Sequence, residues 1–187
     1  TVVLGSRGEL ADSLVGTDAA ETQRIGRLAD DAAARLVRAP DDGRWVRGRV
    51  RRFLDDGRPL DAADAARLAV AITVSLDLRD VAWVEMRRDN ARQHVELWRD
   101  LTRRVPEEVR AAPAALLAFA AWLAGHGALA WCAVDRAQQA DPGYGLAALV
   151  AQALAGAVPP TAWTPPPARD LPLLHGPPEL GTDGCSA

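Results

Sequence analysis

Arg44, Arg47, Arg49, Arg51 and Arg52 crowd into nine residues beside Trp45. Guanidinium groups at that density can grip phosphates, and an indole can stack on a base. The run is bracketed by Asp41, Asp42, Asp55 and Asp56, which can neutralise it as a solvated helix face. The 22 basic residues are all arginine, with no lysine, so arginines must crowd wherever positive surface is needed. The net charge is −3. A globally cationic nucleic-acid binder is therefore disfavoured, and polyanion binding through Arg44–Arg52 stands as an alternative reading only.

A second group holds Arg87, Arg88, Asp89, His94 and Glu96. His94 can act as an acid or base if Glu96 or Glu85 orients it. Residues two apart on a helix face different ways, so the spacing predicts a surface or half-buried histidine without a catalytic role. His126, between Gly125 and Gly127, is expected to face solvent. Cys132 sits in an apolar run and reads as a small core residue, with Cys185 a free thiol in the tail. His126 and Cys132 are six apart, outside zinc spacings, and no second pair completes a site. No phosphate-binding glycine loop, Gly-x-Ser-x-Gly elbow or His-Glu-x-x-His motif occurs. No catalytic residue, metal ligand or cofactor is assigned. Asp135, Arg136, Asp141 and Tyr144 form a dense polar set that reads as a clamp, with Asp141-Pro142-Gly143 starting a turn. Arg136 is the member kept as a ligand or partner contact.

The elements that must position these residues read almost entirely as helix. Ser6 can cap a helix over Arg7–Leu14, and Thr17 or Asp18 the next, where Ile25, Leu28, Ala32 and Leu36 make one apolar stripe. Pro40 and Gly43 are expected to close that helix. Val46, Val50, Phe53 and Leu54 share a face of the following one. Asp61 with Asp64, and Asp77 with Asp80, resemble capping boxes, and Asn90 can cap the helix of His94 and Trp98. Pro106 and Pro113 suit first turns. No period-two strand pattern occurs inside the chain.

The fold class predicted is all-α: a bundle of short antiparallel hairpins with one tetratricopeptide-like hairpin and a Pro-rich tail. Residues 1–16 read as a lead-in, 17–157 as the helical domain and 158–187 as an extended or disordered tail holding 8 of the 13 prolines. Trp163 and Leu171–Leu174 are the tail segments able to pack back. The opening TVVLGSRGEL reads as the end of a strand running into a helix, which predicts a further domain upstream. Ala111–Val134 and Gly143–Pro160 are nearly free of charge and about long enough to span a bilayer. Alanine drives insertion weakly and Gly125 and Gly127 interrupt the first stretch, so both are expected to be core helices, with no membrane.

Ala111–Tyr144 spans one 34-residue period of the tetratricopeptide type. Ala114, Leu117 and Ala118 fill its first helix, and Ala130, Val134, Ala137 and Pro142 its second. Small residues there let two helix backbones approach closely. Ala115, Phe119 and Trp122 then fall on the inner face, where large aromatics at helical spacing read first as core and alternatively as a partner-binding groove.

The segment Leu116–Pro160 resembles the actinobacterial domain-of-unknown-function 4192 family. The matching residues are Gly125, Gly127, Ala128, Asp135, Arg136, Ala137, Asp141, Pro142 and Tyr144. VVLGSRGELADSL, DAARLAVAI followed by LRDVAW, and HVELWRDLTRRVP look similar as well, so the resemblance covers the chain to about Pro160. Gly145 departs from the usual Ser. The resemblance implies an α/β domain upstream and carries no activity or site residues.

The leading expectation is a cytoplasmic protein-interaction or regulatory module, its partner another protein or the upstream domain. The alternatives are the helical half of an enzyme whose chemistry lies upstream, or a nucleic-acid-associated module. An interaction module working through Phe119 and Trp122 requires an open apolar groove there, and a cleft partner an apolar patch around Val2–Leu14.

Overall fold

The computed structural model describes residues 6–35 and 40–167. Among the described residues the chain is helical, with no strand. In order come α1 (Arg7–Asp12), α2 (Ala19–Arg35), α3 (Pro40–Asp56), α4 (Ala62–Val74), α5 (Leu76–Trp83) and α6 (Ala91–Arg104). After a 3-10 turn at Glu107–Val109 follow α7 (Ala111–Leu123), α8 (Gly127–Ala140), α9 (Gly145–Ala155) and a second 3-10 turn at Pro160–Ala162. The strand expected at the opening and Leu171–Leu174 lie outside the described residues.

The axis of the bundle is α7, whose thirteen residues are all buried. A helix apolar on every side has no face to give to water, so it must be surrounded. Helices α4, α6, α8 and α9 surround it. Alanine makes this close packing possible: Ala118, Ala130 and Ala137 are fully buried, with Leu117 and Val134 beside them. Gly125, at φ +79°, turns the chain from α7 into α8 in the left-handed region that a side chain disfavours. The first membrane-length stretch is thus core, whereas the second, in α9, buries only Leu146, Ala147 and Val150 and leaves Leu149 exposed. Among the described residues no helix is long and apolar enough to cross a bilayer.

The other half is built on stripes. α2 lies on α4 through Ile25 and Ala29, and α3 lies on α5 through Val46, Val50 and Phe53. Ser6, Asp18 and Asp61 cap α1, α2 and α4 as expected, each accepting from the N–H three residues on.

Three local expectations are corrected. Pro40 and Gly43 do not close a helix: α3 begins at Pro40, since proline lacks only an N–H that a first turn leaves unpaired. The cap of α5 is Ser75, whose hydroxyl accepts from Leu78 N, while Asp80 pairs with Arg79. Asn90 stands at the N-cap position before α6 but makes no capping hydrogen bond, its side chain being spent on the preceding loop.

Candidate functional site: an arginine-lined cleft

The arginine run lies on α3, and its neighbours neutralise it. Arg47 Nε donates to Glu85 Oε1 at 2.6 Å and Arg51 Nε to Glu85 Oε2 at 3.1 Å. Arg49 pairs with Asp64 at 3.1 Å. Trp45 is not free to stack on a base, because Arg67 lies 4.0 Å from its ring centroid and itself pairs with Asp42. Arg44 also has a partner, and Arg52 is exposed. The geometry favours the neutralised helix face over a polyanion surface.

Glu85 is the centre of that arrangement. Its carboxylate is nearly buried; burial alone would raise its pKa, but the Arg51 and Arg47 hydrogen bonds outweigh this and hold it below the ordinary carboxylate range. Its backbone carbonyl accepts from Asn90 Nδ2 at 2.8 Å, and Asn90 Oδ1 accepts from Arg87 N.

His94 is fully buried beneath that loop, not at the surface. The Trp98 indole N–H donates to His94 Nδ1 at 3.3 Å, which leaves the proton on Nε2 to be donated to the Glu85 carbonyl. Glu85 does orient His94, through its backbone and not its carboxylate. Burial pushes the imidazole pKa down to about 4. The ring is a neutral structural link between α6 and the 84–90 loop.

Phe119 and Trp122 are 3% and 8% exposed, so no open groove exists there. The chain's own Val158–Trp163 segment covers the face. The Trp163 ring stacks on Trp83 at 5.0 Å and meets Phe119 edge-on at 4.8 Å. Its indole N–H donates to Met86 O at 3.2 Å, and that of Trp122 to Val158 O at 3.0 Å. Large aromatics at helical spacing serve as core, sealed by the start of a tail expected to be extended or disordered, which makes one 3-10 turn and packs Trp163 back on the bundle.

The polar set near the α8–α9 turn does not converge. Asp141 closes the turn by accepting from Gly143 N at 3.0 Å. Asp135 turns to α1 and pairs with Arg7 at 2.9 Å. His126 starts α8, half-buried, and Cys132 is a buried free thiol.

Arg136 lines two clefts: a smaller one shared with Arg7, Asp12, Asp135 and Gln139, and an open one of about 500 Å³ between the α1–α2 loop, α2, the end of α6 and α8. Arg27, Arg103 and Arg110 line the open one too. Among the described residues, none of these four guanidiniums has a carboxylate in ion-pair distance. Arg110 is buried and donates to the Thr102 and Val105 carbonyls at 3.2 and 2.6 Å, closing the C-terminal end of α6. Burial, then the like charge of Arg136, lowers its pKa, against the weaker opposing pull of Glu107 and Glu108. The Nε atoms of Arg103 and Arg136 are buried without a hydrogen-bond partner, although Arg136 Nη1 reaches Gln139 at 3.1 Å. Gly16 fixes one wall: a Cβ there would fall 2.1 Å from the Arg103 carbonyl oxygen.

Sequence reasoning found Arg136 and missed Arg27, Arg103 and Arg110, which lie on separate elements and share no motif. It also missed Glu85 as a hub.

Fold and site together define a class: an all-α bundle threaded on an apolar helix, with cationic side chains gathered on one flank. The chain belongs to the family described as Domain of unknown function (DUF4192), which matches residues 1–161. No curated protein and no solved structure matches it.

Proposed function

We propose that the chain is a helical binding module that recognises an anionic partner at the Arg103–Arg136 cleft and performs no chemistry there. The observation that carries this reading is four guanidiniums, drawn from α2, α6, α8 and the turn before α7, without a carboxylate partner. Like charges held together repel, and an anion placed among them removes that cost. The depressed pKa of Arg110 reflects burial first and Arg136 second. Among the described residues no carboxylate, histidine or thiol lines this cleft, and the Thr22 hydroxyl at its edge already donates to Asp18 O. His94 and Glu85, elsewhere in the molecule, are held inside the fold. The reading includes a cytoplasmic location, which the buried unpaired thiol of Cys132 suits.

Binding of labelled hexaglutamate and of pyrophosphate to the wild type and to an Arg103→Gln/Arg136→Gln variant tests it. At least one anion is expected to bind, and to weaken by about tenfold or more in the variant. The exposed Arg92→Gln control, at the other end of α6, should bind as the wild type does. Absence of any anion binding, or equal binding by the double variant, overturns the reading.

A further inference from the structure

We infer that the cleft takes a phosphorylated small molecule, gripped by Arg103, Arg110 and Arg136. This rests on the recognition reading above and names its ligand class.

The first argument is arrangement. The arginines come from four separate elements and line one open depression instead of following one helix. A compact anion with several oxygens can meet donors from more than one side, whereas an acidic peptide spreads its carboxylates along a line. The second is donor type. The planar guanidinium fork matches two oxygens of one phosphate.

The third argument is charge. One carboxylate neutralises one guanidinium, while a phosphate monoester or pyrophosphate offsets two or more. The fourth is the rest of the wall. Val15, Ala19 and Pro106 give an apolar side to a space of about 500 Å³, within the range of small-molecule sites. No aromatic ring lines it, so base stacking is not the means of recognition. A second cleft, of about 370 Å³ between α2 and α4, shows the contrast: Asp31, Asp42 and Asp64 stand there beside Arg35 and Arg67.

Calorimetric titration at fixed ionic strength tests the inference. The probes are inorganic phosphate, pyrophosphate, hexaglutamate and phosphatidylglycerol vesicles. Pyrophosphate should bind more tightly than phosphate, and Arg103→Gln and Arg136→Gln should each weaken it about tenfold. Arg110 is left intact because it closes α6. Without ligand, both variants should melt at or above the wild-type midpoint, since each loses a like charge; a lower midpoint in both would assign the arginines to packing and overturn the site. Unchanged pyrophosphate affinity in folded variants overturns it too. Hexaglutamate or vesicle binding without pyrophosphate binding refutes the ligand class; hexaglutamate loss in the double variant would still support anion recognition. No binding of any probe refutes both.

Discussion

Arg103 and Arg104 are neighbours in sequence with opposite fates. Arg104 donates to Glu21, Asp100 and the Leu60 carbonyl, tying α2, α6 and the loop before α4 together. Arg103 has no ion-pair partner and lines the cleft, its Nε buried without a hydrogen bond. The same contrast separates the α3 run from the cleft. Arg47, Arg49 and Arg51, close in sequence, are drawn against Glu85 and Asp64, while four arginines far apart in sequence line one cleft without an ion-pair partner. Density along a chain does not measure the field left over after folding. That field is set by which carboxylates remain unclaimed.

The compensated region should therefore be sensitive to pH and to loss of its carboxylate. The largest effect should come from His94. Its folded pKa of about 4 lies below the ordinary 6.5, so between those values the unfolded chain takes up a proton that the folded chain refuses. Stability should be constant above pH 6.5, fall as pH drops through the window, and level off below pH 4 as far as this group is concerned. The full loss is about 3 kcal/mol. Denaturant midpoints from pH 7 to 4 measure it. His94→Gln, whose amide can donate to the Glu85 carbonyl and accept from Trp98, should flatten the slope; an unchanged slope would move the effect to other groups.

Next in size is Glu85→Gln. It removes the charge that Arg47 and Arg51 share and leaves two guanidiniums facing a neutral amide. The expected loss at pH 7 is about 2 kcal/mol, kept moderate because Arg51 is half exposed. Urea unfolding is the measurement, and a loss within error of zero would mean that the α3 arginines are not held by Glu85.

Much of the fold was legible because it depends on local pattern. The apolar run from Ala111 predicted a buried helix, and Ser6, Asp18 and Asp61 announced three starts. Family membership was legible in the Gly125–Tyr144 segment. The cleft was not. Asp135 beside Arg136 and Asp100 one turn before Arg103 look like local partners, yet they go to Arg7 and Arg104. That allocation is decided by the packing of α1 on α8 and α2 on α6, which no short-range spacing reveals. Glu85 was hidden for the same reason, with its partners more than thirty residues away.

The measurement closest to the central claim is urea unfolding, at low salt and without added anions, of two double variants side by side. Arg47→Gln/Arg51→Gln removes compensated charge and should lose about 1 kcal/mol or more. Arg103→Gln/Arg136→Gln removes uncompensated charge and should keep or gain stability. Equal losses in the two would contradict the distinction between them.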